Sequence, residues 1–432
     1  MQAQDREFIL AHAEADPKDL LLHAHRYPGV NLTFCAAQIE ARKKIRSKLP
    51  EWYANPDLYY PSGLSLEQAS SQTTALYKAR LIQAGRREHA EYCSADLTGG
   101  LGIDSSYIAR ATDHHTYIER NGQLCEAAVH NFATLGLAHK TQILHQELTE
   151  ADLSTVLEGV HCVYLDPARR SHSGGRVFSI ADCEPNLLAW KSILLQSTRT
   201  VWVKLSPMID LKATLQLLPE AQEVHILSVS NEVKELLIRL EGQSPDIPEA
   251  TLAAEQVPIH CVALDATDGE ILYQYTFTLE QEQNCPTGQR WKPALPQHNM
   301  ATDPGYLYEP DKSILKGGAF KSIGQAYGLE KLSTNTHLYY ASEHLTDFPG
   351  RAFRILLVSE FSKRSAAELA QVLPDGKSNV TARNFPLTSE ALQQKLKLKN
   401  GDRHHVFCTT LDDRRKVLLL TEPVSYSTKN RQ

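Results

Sequence analysis

No apolar run in this chain approaches the ~20 residues that cross a bilayer, so no membrane partner is expected. The eight cysteines, at positions 35, 93, 125, 162, 183, 261, 285 and 408, never form a Cys-x-x-Cys pair. That spacing argues against a zinc cluster or a disulfide framework, and predicts buried thiols and no metal. The opening Met-Gln-Ala-Gln-Asp-Arg-Glu lacks the basic-then-apolar order of a signal peptide, which predicts a cytoplasmic location. An overall excess of positive charge is also missing. The net charge of -6 argues against a general nucleic-acid binder, and the length of 432 residues predicts two to four domains.

What the chain does have is Ser94 to Asp104, Ser-Ala-Asp-Leu-Thr-Gly-Gly-Leu-Gly-Ile-Asp, which ends an apolar run, turns on three glycines and opens an amphipathic segment. Glycine tolerates positive φ and close approach of a ligand, and the helix that follows presents unpaired N–H groups. The order Asp96-x-Thr98-x-Gly100-x-Gly102, with Gly99 added, differs from the G-x-G-x-x-G dinucleotide fingerprint. An acid before the turn repels a pyrophosphate and suits an ammonium group. A second strand-like run ends in Glu119, where a carboxylate accepts bonds from two ribose hydroxyls. A third, His161 to Leu165, delivers Asp166-Pro167-Ala168-Arg169-Arg170 at the kind of strand end where open α/β sheets bind ligands.

With these three motifs in order, the chain resembles the class I S-adenosylmethionine-dependent methyltransferases. The resemblance spans roughly Ser65 to Val233 and implies a doubly wound, mostly parallel, Rossmann-like α/β sheet with S-adenosylmethionine as cofactor. It implies that Asp96, Thr98, Gly99, Gly100 and Gly102 form the cofactor turn, that Glu119 beside Arg120 holds the ribose, and that Asp166 closes the site. Glu147 stands where such enzymes place a polar contact to the adenine, and equally reads as a solvated loop acid.

Strands are predicted at Tyr92 to Leu97, Thr116 to Glu119, Thr141 to His145, Cys162 to Asp166, Val201 to Leu205 and Val224 to Val229. A helix is predicted from Gln123 to Leu135 with Gly136 as its stop. Residues 1 to 85 form a helical region, in which Ala36, Ile39, Ile45 and Leu49 mark a buried stripe and Pro50 a break. Ser65-Leu66-Glu67-Gln68 reads as a capping box opening a helix through Ala69 to Ile82, with Ser70 to Thr74 as a polar stripe facing either ligand or solvent. The methyltransferase region runs from 86 to 278 and ends in a hairpin turning at Ala266 to Glu270. Residues 279–346 and 347–432 resemble the ferredoxin-like element and C-terminal THUMP-like domain of a bacterial methyltransferase group, which predicts small α+β domains there. THUMP domains bind RNA, so an RNA partner, tRNA or rRNA, is implied.

Charge points the same way. Residues 347–432 carry 15 Lys plus Arg against 9 Asp plus Glu, a net of +6, which leaves -12 for the remainder. Lys395, Lys397 and Lys399 alternate as they would on one face of a strand.

For the chemistry, amino-group methyltransferases usually follow Asp-Pro with a second proline and an aromatic, whereas Ala168 and Arg169 stand here. Arginine stacks on a base or holds a phosphate in a bidentate grip. Asp166 and the Pro167 carbonyl are placed to align an exocyclic amine. Lys204, in Val203-Lys204-Leu205-Ser206-Pro207, either lowers the pKa of a hydroxyl acceptor or pairs with Asp166. That stretch has no cysteine, which disfavours covalent carbon methylation. The expected reaction is direct transfer to nitrogen or oxygen of RNA, with Asp166, Pro167, Arg169 and Lys204 as the catalytic set. The alternatives are a catalytically weak nucleic-acid-binding adaptor, or a methyltransferase acting on a small molecule or protein.

Overall fold

The computed structural model describes residues 3–61, 66, 69–86, 90–169, 179–242, 252–293 and 305–424. The chain divides into two compact units. The first comprises Met1–Ser230, Lys234–Pro258 and Leu264–Leu272; the second comprises Asn231–Val233, Ile259–Ala263 and Tyr273–Gln432.

The first unit is built on strands β1 (Cys93–Asp96), β2 (His114–Glu119), β3 (Thr141–His145), β4 (Cys162–Leu165), β7 (Thr200–Leu205), β8 (Ala221–Val229) and β9 (Glu232–Glu241), with a two-residue ribbon of β5 (Ala168–Arg169) and β6 (Cys183–Glu184). The sheet order is β8-β9-β7-β4-β1-β2-β3. Pairs β7–β4, β4–β1, β1–β2 and β2–β3 are parallel, and β9 joins β7 antiparallel. This is the doubly wound, mostly parallel sheet that the alternation of apolar strands and amphipathic segments predicts. The strand order reverses at β1, which has β2 on one side and β4 on the other, and such a reversal opens a crevice at the strands' carboxyl ends.

Helices lock this frame from the N-terminal side. Helix Leu32–Ile45, capped by Asn31, and helix Gln72–Ala84 bury Ile45, Leu49, Trp52, Ala75 and Ala79 against Ile103 and Tyr107, in the helix that follows the glycine turn. The first of these helices ends at Ile45, before Pro50 as expected, and Pro50 also opens a further short helix, Pro50–Ala54, because proline lacks only an N–H that a first helical residue leaves unpaired anyway. One expectation changes here. The second long helix starts at Gln72 rather than Ala69, with the Ser71 hydroxyl accepting from the Thr74 N–H. Of the expected capping box, Ser65, Glu67 and Gln68 lie outside the described residues. Helix Gly122–Thr134 is capped by Asn121, and Gly136 follows it with φ of +73°. The predicted turn forms between β10 (Ile259–Leu264) and β11 (Ile271–Phe277), with the Gly269 N–H donating to the Asp265 carbonyl at 3.1 Å.

The second unit carries β12 (Tyr306–Pro310), β13 (Glu330–Ser333), β14 (Thr336–Ala341), β15 (Gly350–Glu360), β16 (Asn379–Arg383), β17 (His405–Thr410) and β18 (Lys416–Val424), in the order β13-β14-β12-β15-β18-β17-β16. Lys395, Lys397 and Lys399 do not sit on a strand. Thr388 caps a helix, Ser389–Leu396, that buries Leu392 and Leu396 one turn apart, and Lys397 ends it in the left-handed region at φ of +56°. Burial of two leucines at helical spacing outweighs the local alternation. All three lysines are nevertheless exposed.

Candidate functional site

The carboxyl ends of β1, β2, β4 and β7 line a cleft of about 950 Å³, a size that accepts a small molecule. Asp96, Thr98, Gly99, Gly100, Glu119, Arg120, Glu147, Asp166, Pro167 and Lys204 all lie in its wall. Gly102 does not, and shapes the turn instead: φ is +79°, and a Cβ there would sit 3.1 Å from the Phe132 ring. Gly100 likewise adopts φ of +53°. Gly99 is required for another reason, since its Cβ would lie 2.2 Å from the Tyr117 ring. Gly99→Ala therefore displaces the turn or the ring. The expected result is a loss of about 1 to 3 kcal/mol of stability, read by urea unfolding.

Each acid is held by backbone or hydroxyl donors. The Gly100 N–H donates to Glu119 Oε2 at 2.9 Å and the Asn121 N–H to Oε1 at 2.8 Å, which fixes the carboxylate at the mouth of the glycine turn. Asp96 is 1% exposed; its Oδ1 accepts from the Thr98 N–H at 3.0 Å and its Oδ2 from Ser105 Oγ at 2.6 Å. Burial pushes its carboxyl up to about 7, against the lowering effect of those hydrogen bonds. Thr98 ties two strand ends together: its Oγ1 donates to Asp96 at 3.3 Å and accepts the Asp166 N–H at 2.7 Å.

Lys204, on β7, donates to Asp166 Oδ2 at 2.6 Å, so the pairing alternative is the one the structure adopts. Burial opposes its charge, but the carboxylates of Asp166, Glu235 and Asp104 outweigh that cost and hold the ammonium well above its usual range. Lys204 is therefore a fixed cation and not a proton acceptor. Arg120 pairs with Glu184 at 2.9 Å and stands 3.6 Å from Glu147, both on exposed side chains. Arg169 contributes backbone to the β5–β6 ribbon opposite Cys183, while its side chain, with Arg170, His172 and Arg176, lies outside the described residues.

A crystal structure from Porphyromonas gingivalis W83, of a "putative methyltransferase", matches with 35% identity over 98% of this chain and 98% of that one, at a TM-score of 0.81. The chain belongs to this methyltransferase family. Within it, residues 306–349 match the model of a ferredoxin-like domain and residues 350–423 that of a THUMP domain-like family. A type I restriction-modification system methyltransferase subunit from Streptococcus thermophilus is 16% identical over 45% of this chain and 46% of that one, at a TM-score of 0.33. A SAM-dependent methyltransferase from Agrobacterium tumefaciens is 14% identical over 40% and 63%, at 0.31. No curated protein sequence matches.

One part of the methyltransferase cleft went unread in the sequence. Lys78, 2% exposed, donates to Ser70 Oγ at 2.7 Å and stands 2.8 Å from Asp104 Oδ1 and 2.9 Å from Glu235 Oε1. Asp104 Oδ2 accepts from Ser70 and from the Tyr164 hydroxyl, each at 2.7 Å. Burial opposes ionisation of Asp104, but Lys78 and Lys204 prevail and hold it below the usual carboxylate range. Ser70, Asp104, Tyr164 and Glu235 line the cleft. Of the polar run Ser70 to Thr74, Ser70, Thr73 and Thr74 are buried, whereas Ser71 and Gln72 are half-buried. The available signal was Lys78 itself, a lysine in register with Ala75, Ala79 and Ile82 on the buried stripe of its helix.

Proposed function

We propose that the protein transfers a methyl group from S-adenosylmethionine directly to a nitrogen or oxygen of RNA. The carrying observation is that Asp96, Glu119 and Asp166, at the ends of three neighbouring parallel strands, line one cleft together with the glycine turn.

The donor set fits the cofactor. Asp96 is a buried carboxylate with no cation bonded to it among the described residues, which suits the cofactor's ammonium. Glu119 retains free lone pairs on both oxygens for ribose hydroxyls, since each accepts one backbone N–H. Gly99 and Gly100 keep side-chain bulk out of the turn. When bound, the cofactor supplies a sulfonium-activated methyl group. The chain's own residues position the acceptor: Asp166, oriented by Lys204 and by the Thr98 hydroxyl, accepts a hydrogen bond from the acceptor's N–H or O–H, and the Pro167 carbonyl accepts a second. Among the described residues no cysteine lines the cleft, and burial pushes the thiol of Cys162 on β4 up to about 12. A covalent thiolate step has no candidate there.

An RNA acceptor is supported by the THUMP-like region and by the net +6 of residues 347–432. Glu309, outside that range, neutralises part of the charge by holding Arg351 and Arg383. Lys363, Arg364, Lys377, Lys397, Lys399 and Arg403 remain exposed.

The test is calorimetric titration with S-adenosylmethionine, followed by transfer of labelled methyl to total RNA. Glu119→Ala is expected to weaken cofactor binding by roughly tenfold or more, the loss of a charge-assisted pair of hydrogen bonds. Unchanged affinity would remove the ribose assignment. The position of the Asp96 carboxyl adds a pH signature. An ammonium ligand prefers ionised Asp96, so affinity for S-adenosylhomocysteine is expected to be level above about pH 7 and to fall as pH drops below it, by up to about tenfold per unit. A flat profile from pH 5.5 to 8.5 would separate Asp96 from the cofactor's ammonium.

A further inference from the structure

The second unit contains a pocket of about 780 Å³ that shares no residue with the methyltransferase cleft. One wall is aromatic: Phe320 and His337 stack with ring centroids 3.8 Å apart and planes 18° from parallel, both rings half-buried, and the buried Tyr339 lies in the same wall. Two lysines line it without a carboxylate partner among the described residues. Lys321 Nζ donates to the carbonyls of Gln283 and Cys285, at 3.0 and 2.8 Å, and Lys331 Nζ to that of Thr334 at 3.1 Å. Of the acids nearby, two are engaged elsewhere, while Glu330, half-buried, also lines the pocket. Glu282 accepts the backbone N–H groups of Phe320, Lys321 and Ser322, and Asp412 holds Arg290, Ser333 and Thr334. Burial and the neighbouring Arg290 lower the Lys331 pKa, against the raising effect of the Glu282 and Asp412 carboxylates. Gln289 and Asn335, both exposed, add amide donors and acceptors at the rim.

Aromatic surface, amides and two ammonium groups bonded only to backbone carbonyls together suit a planar heterocycle that carries an anion. We propose that this pocket takes one unstacked nucleotide of the RNA, its base against the Phe320–His337–Tyr339 wall and its phosphate at Lys321 and Lys331. The proposal rests on the RNA reading above and deepens it: a splayed single-stranded base, stacked on aromatic side chains, is how proteins recognise RNA outside helical regions. The pocket is then a docking point for the acceptor strand, separate from the place of methyl transfer.

The experiment uses the full chain with S-adenosylhomocysteine at saturation to occupy the cleft, and titrates uridine and adenosine 5′-monophosphate by calorimetry and saturation-transfer NMR. Gel retardation of total RNA is measured alongside. Expected is binding of one nucleotide per chain, weakened roughly fivefold or more by Phe320→Leu, which keeps apolar bulk without the ring, and by Lys321→Gln at a half-exposed position. S-adenosylhomocysteine affinity should stay at the wild-type value in both variants. Nucleotide binding that both variants leave unchanged, or none at millimolar concentration, overturns the pocket; if RNA retention persists in that case, the RNA reading survives without it. Variant-sensitive nucleotide binding with no RNA retention keeps the pocket and removes the polymer.

Discussion

Replacement of Asp166 by alanine is expected to lower methyl transfer by roughly a hundredfold or more while leaving cofactor affinity within a few fold. The carboxylate stands at the end of β4 with Lys204 bonded to it at 2.6 Å, and its backbone N–H is tied to Thr98. It is thus held in place where the acceptor is proposed to bind, whereas the proposed ribose and ammonium contacts fall to Glu119 and Asp96. Removing it does not strand the Lys204 charge, because Glu235 and Asp104 also act on that ammonium. The fold should therefore survive, and the loss should appear in kcat. Asp166→Asn sharpens the reading. An amide still accepts a hydrogen bond, so an amine acceptor aligned by that bond should keep much of its rate, whereas a hydroxyl that needs a nearby negative charge should not. Calorimetry for binding and labelled methyl transfer for rate separate the outcomes. An Asp166→Ala enzyme with wild-type turnover would move the acceptor site elsewhere.

The largest stability effect should come from Lys78→Met. This substitution leaves Asp104 and Glu235 buried, close together and without the cation that stands 2.8 and 2.9 Å from them. Loss of one partner from a buried ion cluster costs roughly 3 to 5 kcal/mol, because the remaining carboxylates are not solvated and keep only the more distant Lys204 ammonium. For a unit of this size that corresponds to a fall in unfolding temperature of about 10 °C, read by calorimetry on the full chain. The effect has a built-in control. Adding Asp104→Asn and Glu235→Gln removes the stranded charges, so the triple variant should recover a large part of the loss. A Lys78→Met protein as stable as wild type would mean that water reaches the cluster. Cofactor binding should also weaken in the single variant, since Asp104 belongs to the helix that starts directly after the glycine turn.

Much of the catalytic frame was legible because it depends on local pattern. The β1, β2 and β4 runs, the three glycines and the acids at 96, 119 and 166 are each short segments whose meaning lies in order along the chain, and the structure sets them at adjacent strand ends. Local pattern misled where two periods competed. Lys395 to Lys399 alternates like a strand, yet the leucines at 392 and 396 satisfy a helix as well, and the apolar wall available in the second unit decided for the helix. Ser70 to Thr74 read more readily toward solvent than toward a ligand, and only Asp104, 34 residues away from Ser70, turned Ser70 inward.

The sequence by itself determined the class of fold, the position of the glycine turn and the identity of the acids that open on the cleft, because turns, strand ends and strand order are written in neighbouring residues. Tertiary structure alone decided what those acids bond to. It paired Lys204 with Asp166, used Thr98 to join β1 to β4, and assembled the Lys78–Asp104–Glu235 cluster from three segments, bringing Glu235 to two residues that lie far before it in the chain. Those choices are set by burial. In a dry interior a charge is held only beside its opposite or by hydrogen-bond donors, and which of these lie within reach is a property of packing that no local stretch of chain contains.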